Sequence, residues 1–113
     1  MKATNFRKEL IKVMPSYKWT VHRLYCSERF IFATGIVTIG FNRMSTLQII
    51  KRKKDDSIEH EAKSSGFGLN SPWLSRYKDI TLKRALRGLQ NHYEAMAKEY
   101  SRHAADLEHG RKP

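Results

Sequence analysis

Between Asp79 and His109 the residues Leu82, Ala85, Leu86, Leu89, Tyr93, Met96, Ala97, Tyr100, Ala104 and Leu107 recur at steps of three, one, three and four. That spacing lines one side of a helix with apolar groups. Asp79 or Thr81 can cap its start, and Gly110 can take the left-handed conformation that closes a helix. At about 1.5 Å per residue the helix is roughly 45 Å long, while a compact chain of this length is only about 35 Å across. One end must overhang, bend or meet a partner. Met96, Tyr100, Ala104 and Leu107 keep the stripe apolar past that point, so they are expected to support self-association, most simply as a symmetric homodimer. The competing expectation is that an N-terminal helix covers them within one chain.

The rest of the chain supplies that shorter helix and a sheet. Thr4 or Asn5 can cap a first helix with Phe6, Leu10, Val13 and Met14 on one side, and Pro15 stops it. Tyr17, Trp19 and Val21 alternate with Lys18, Thr20 and His22, which predicts a half-buried strand over 17–25. Residues 29–41 are too β-branched and too interrupted by glycine for a helix, with a bulge expected at Gly35. A turn over 40–44 leads into a strand at 46–51. Lys54-Asp55-Asp56-Ser57 reads as a hairpin turn into a fourth strand at 58–62. Residues 64–77 show neither helical nor strand period and are expected to form a long loop carrying Phe67, Trp73 and Leu74. The connections are too short for crossovers, so the sheet is antiparallel. The expected fold is a single α+β domain over residues 1–113: two layers, four antiparallel strands, and both helices on one face, in the order α-β-β-β-β-α.

Charge narrows the function. The formal net charge is +11, and residues 1–54 hold twelve Lys/Arg against two Asp/Glu, whereas 55–113 hold ten against nine. A basic excess of this size favours a polyanion as partner, nucleic acid above all. Two clusters stand out as candidate binding residues. Lys51, Arg52, Lys53 and Lys54 lie in one run, and Lys83, Arg84 and Arg87 lie at the start of the long helix. The second cluster sits at the positive end of the helix dipole, the reverse of what stabilises an isolated helix, so an anionic ligand or ion pairs to Glu59 or Glu61 must offset it. Trp73 is a further candidate contact, because a large aromatic in a loop is either buried or kept for a partner.

Catalytic readings find little support. Glu61 and Lys63 on a strand downstream of Asp55 and Asp56 are similar to the metal-binding acids and lysine of a nuclease core, but the aspartates fall in the hairpin turn. No two of the five histidines are spaced i, i+4, and Cys26 is the one cysteine, so neither zinc ligation nor an intramolecular disulfide has a local basis. No catalytic residue, metal or cofactor is predicted. A lone cysteine, no long apolar run and no signal-like N-terminus lead to the expectation of a soluble cytoplasmic protein, without membrane association.

The helix, sheet, helix order, with Thr81-Leu82-Lys83-Arg84-Ala85-Leu86-Arg87 at the last helix start, resembles the layout of double-stranded RNA-binding domains. A second resemblance runs through most of the chain. Trp19-Thr20-Val21-His22-Arg23, Gly40-Phe41-Asn42-Arg43, Phe67-Gly68, Pro72-Trp73-Leu74 and the stretch from Thr81 to Glu94 resemble small uncharacterised bacteriophage and prophage proteins. That resemblance implies a phage-encoded inhibitor of host defence, such as an anti-CRISPR protein. The expected function is therefore non-enzymatic binding of nucleic acid or of a nucleic-acid-containing host complex. The alternative is a protein-binding inhibitor that acts on an acidic host protein surface without nucleic acid.

Overall fold

The computed structural model describes residues 2–23, 27–39, 42–65 and 73–113, with side chains at all of these except 39 and 42–44. They form an α+β fold. Helix α1 (Ala3–Val13) is followed by strands β1 (Lys18–Val21), β2 (Phe30–Ile39), β3 (Asn42–Lys54), β4 (Ser57–Ser65) and β5 (Trp73–Asp79), and then by helix α2 (Leu82–Gly110). The strands pair antiparallel in chain order, β1-β2-β3-β4-β5.

Strand count and loop differ from expectation. Trp73–Asp79, whose first five residues fall in the expected loop over 64–77, is a fifth strand that pairs its Arg76, Tyr77 and Lys78 with Lys63, Ala62 and Glu61. Ser64 and Ser65 end β4, and residues 66–72 lie outside the described residues. The bulge in β2 falls between Val37 and Thr38, not at Gly35. Of the expected turn over 40–44, residues 42–44 belong instead to β3 and 40–41 lie outside the described residues.

Alternation along the strands divides the sheet into two unlike faces. Trp19, Val21, Ile31, Ala33, Leu47, Ile49 and Ala62 point to one side, where they meet Phe6 and Leu10 of α1 and Leu82, Ala85 and Leu89 of α2 in a single core. Both helices therefore cover the same face. Two glycines set how closely the layers approach. A Cβ at Gly35 would lie 2.6 Å from the Trp19 ring, and one at Gly88 would lie 2.2 Å from the Tyr77 ring. Absence of a side chain lets Trp19 lie across β2 and lets α2 cross β5.

The helix ends show what the side chains can and cannot do. Thr81 caps α2 by accepting a hydrogen bond from the Arg84 N–H at 3.2 Å. Its C-cap is Arg111 in right-handed geometry, with Gly110 as the last helical residue, so no left-handed closure forms. Helix α1 begins after Lys2 without a side-chain cap, unlike the expectation for Thr4 or Asn5. Its apolar side is as expected, and Trp19 Nε1–H donates to the Met14 carbonyl at 3.1 Å where Pro15 ends the helix.

Only the first three turns of α2 have sheet beneath them. The helix spans 29 residues, about 44 Å, and the molecule measures 64 × 36 × 23 Å with a radius of gyration of 17.2 Å, against about 13 Å for a compact chain. The overhang is real, and α1 does not cover it. No helix among the described residues is long and apolar enough to cross a membrane.

Gly35→Val and Gly88→Leu should each destabilise the fold by about 1–3 kcal/mol through overpacking. Gly110→Ala, where nothing lies within 4 Å, should be neutral or stabilising by up to about 1 kcal/mol. Chemical denaturation of the three variants checks this; equal stability of Gly35→Val and wild type would contradict the packing.

Candidate nucleic-acid interface

The second face of the sheet has no described helix upon it, and its composition follows from the same alternation. Thr20, Thr34, Gln48, Lys63 and Arg76 are successive cross-strand partners on this side. Beside that row run Lys18, Ile36, Thr46, Ser65 and Trp73, and on its other flank Phe32, Ile50, Glu61 and Lys78. Cations and aromatic rings thus share this face with Thr46, Ile50, Glu61 and Ser65, which are buried.

Toward β1 and β2 the aromatic groups are engaged with one another. His22 stacks on Phe32 with ring centres 4.6 Å apart, its Nε2 lies 2.7 Å from Thr34 Oγ1, and Phe30 packs against Phe32 at 5.7 Å. The Arg52 guanidinium sits 6.0 Å above the Phe30 ring. Toward β4 and β5 the surface opens. Trp73 is 46% exposed and, with Leu74, Ser75, Lys63 and Arg76, lines a cavity of about 410 Å³. Among the described residues no carboxylate pairs with Lys63 or Lys78, and Arg76 comes no nearer to one than 3.9 Å from Glu61.

The run Lys51 to Lys54 is not a free basic patch. Alternation sends Lys51 to the helical side, where it pairs with Glu9 of α1 at 3.3 Å. Arg52 turns the other way and holds Glu59 at 3.5 Å and Glu61 at 3.1 Å, and Lys54 pairs with Glu59 at 3.4 Å. Lys53 is exposed and has no carboxylate partner among the described residues. Glu61 is 1% exposed, so Arg52 acts mainly to hold a buried carboxylate. The second cluster divides as well. Arg84 Nε lies 3.4 Å from Asp79 Oδ1, a different partner from the Glu59 or Glu61 anticipated, while Lys83 and Arg87 are exposed without carboxylate partners among the described residues.

The self-association residues stand on the overhang. Met96 is half-buried, Tyr100 and Leu107 are 64% and 69% exposed, and Ala104 is exposed. Sequence reasoning missed Lys63, Arg76 and Lys78 as members of the open surface. Their spacing on two paired strands was the signal, but it is readable only once residues 73–79 are recognised as a strand.

One titratable group on the helical side is strained by burial. His60 donates from Nδ1 to the Ile80 carbonyl at 2.8 Å, while Nε2 has no hydrogen-bond partner among the described residues and lies 3.8 Å from Glu9 Oε1. Burial pushes its pKa below the ordinary histidine value, more than the Ile80 carbonyl and Glu9 restore, and Lys51 adds to the lowering. Because the unfolded chain binds this proton more readily, the contribution of neutral His60 is full above its unfolded pKa and is lost as pH falls below about 6.5.

No family model matches the chain, nor does any curated protein or solved structure, so the surface is interpreted from its own geometry.

Two outcomes follow. Arg52→Ala should cost about 1–3 kcal/mol, less than a fully buried pair because Arg52 is itself partly solvated, whereas Lys53→Ala should change stability by no more than about 0.5 kcal/mol; thermal melts of both decide it. The melting temperature of the wild type should fall between pH 7.5 and 5.5 more steeply than that of His60→Gln, and parallel curves would remove His60 from the account.

Proposed function

We propose that the protein is a non-enzymatic binding factor that holds a single strand of nucleic acid, free or as part of a larger complex, across the β4–β5 side of the sheet face opposite its helices. The observation that carries this reading is Trp73, exposed at the end of β5 beside the Lys63–Arg76 pair, where Arg76 is 3.9 Å from Glu61 and Lys63 has no carboxylate partner among the described residues. Lys63, Arg76 and Lys78 would take the phosphates, with counterion release supplying much of the affinity. The indole face would stack a base, a contact that accepts any sequence.

Charged side chains on an edge strand also discourage pairing with another sheet. That role accounts for Arg76 and Lys78 but leaves an exposed tryptophan without a purpose. Lys83 and Arg87 add positive charge near the positive end of the α2 dipole, where a second phosphate contact would be favourable. Lys51, Arg52 and Lys54 are assigned instead to structure, since their charges are used within the fold. The prophage resemblance gives the reading its setting: a phage-encoded factor that engages a host nucleoprotein complex, such as a CRISPR effector, and inhibits it.

Fluorescence anisotropy with labelled single-stranded DNA and RNA tests the proposal. Trp73→Ala should weaken binding by about 1–3 kcal/mol, roughly fivefold to 150-fold. Replacing Lys63, Arg76 and Lys78 together with Ser should reduce the slope of log affinity against log salt by about 2. Unchanged affinity and slope in both variants would overturn it, as would nuclease-resistant binding to an acidic host protein with no affinity for either oligonucleotide.

A further inference from the structure

The apolar stripe of α2 carries a repeat whose later members, from Ala97 to Leu107, are left exposed by single-chain packing. Leu86, Tyr93, Tyr100 and Leu107 recur every seven residues, and Gln90, Ala97 and Ala104 fall between them at alternating steps of four and three. A seam of that period is the mark of a helix packed along another helix. In the folded chain Leu82 and Leu89 lie to one side of this seam, in the core. The seam itself opens into a groove of about 450 Å³, walled by Leu86, Tyr93 and Ala97 of α2 on one side and by Met14 and Tyr17 on the other, with Leu47 below.

We propose that the groove and seam receive the α2 helix of a second copy of this chain, running antiparallel, in a two-fold dimer. Size complementarity fixes the register. With the two-fold axis midway between Lys98 and Glu99, each Tyr100 faces Ala97 of the other copy, each Tyr93 faces Ala104, and each Leu107 faces Gln90. Tyrosine meets alanine at the four central levels and Leu107 meets the longer Gln90 at the two outer ones, and the exposed ends, Tyr100 to Leu107, drop into the groove of the other copy. The helices overlap over roughly 36 Å.

Charge fixes the direction. The first turns of α2 carry Lys83, Arg84 and Arg87 with no acid, while Glu94, Glu99, Asp106 and Glu108 outnumber Lys98 and Arg102 in the overhang. Antiparallel pairing sets each basic half beside an acidic half and opposes the two helix dipoles; parallel pairing would set like beside like. In the register above, Arg87 faces Gly110 of the other copy and lies two residues, about 3 Å along the axis, from Glu108 on the same flank of the seam. The charge order that is unfavourable for an isolated α2 becomes favourable in the pair.

Sedimentation velocity across a concentration series tests the dimer. The wild type should pass from monomer to dimer, and Tyr100→Glu should weaken the dimer roughly thirtyfold or more with an unchanged fold by circular dichroism, since Tyr100 is exposed in the single chain. Arg87→Glu should weaken it too, and Glu108→Arg added to Arg87→Glu should restore it. In chains carrying Cys26→Ser, a mixture of Gln90→Cys and Leu107→Cys should oxidise to a mixed dimer, while Leu107→Cys alone should not crosslink. A wild type that stays monomeric throughout, or a Tyr100→Glu variant that dimerises as the wild type does, overturns the proposal. Self-crosslinking of Leu107→Cys in preference to the mixture overturns the antiparallel arrangement.

Discussion

The burial of Trp19, Ile31, Ala33, Ile49 and Ala62 against Phe6, Leu10, Leu82, Ala85 and Leu89 is the contact on which the other features depend. It consumes one side of strands β1 to β4 and only the first three turns of α2. Each fully buried aliphatic or aromatic side chain contributes about 1.5–3 kcal/mol relative to exposure, so the side on which these groups lie is strongly specified. A shift of one residue in any strand would turn its apolar set outward. The opposite face and the far half of α2 are what this core leaves over, and they carry the groups available for contact.

Polar pairing across the two faces completes the fold. On the helical side Lys51 and Glu9 tie β3 to α1, and Tyr93 and Ser64 share a hydrogen bond that holds α2 over β4. On the side opposite the helices Arg52 holds Glu61. These pairs use cations that in the sequence look like a nucleic-acid patch. The net charge of +11 is therefore a poor guide to where binding occurs, because ion pairing within the fold decides which cations remain to meet a phosphate.

Much of the architecture was legible in the chain. The α2 stripe, the alternation of β1, the stop at Pro15 and the Lys54–Ser57 hairpin each arise from local spacing, and the hairpin adopts a positive φ of 48° at Asp55, as a tight turn requires. Strand β5 was not legible, because an edge strand with most side chains exposed leaves little periodic signal after a stretch rich in glycine, serine and asparagine. The pairing of Arg52 was half legible: once the hairpin turn is placed at Asp55 and Asp56, Arg52 faces Glu59 across it. The pairing of Lys51 with Glu9 was not, since the two are brought together only by α1 folding onto the sheet. Trp73 was recognisable as unusual, but its neighbours Lys63 and Arg76 were not, because the strand that unites them was missing.

The central claim is that the sheet face left bare by the helices is the surface that takes nucleic acid. Residue-resolved NMR titration with a short single-stranded oligonucleotide tests it most directly. The account predicts that shifts concentrate at Gln48, Lys63, Trp73, Arg76 and Lys78, with the Trp73 indole N–H among the largest, while Ile31, Ala33 and Leu47 on the helical side stay in place. Shifts confined to the helical side, or to the Lys51–Lys54 hairpin with Trp73 unmoved, would contradict it.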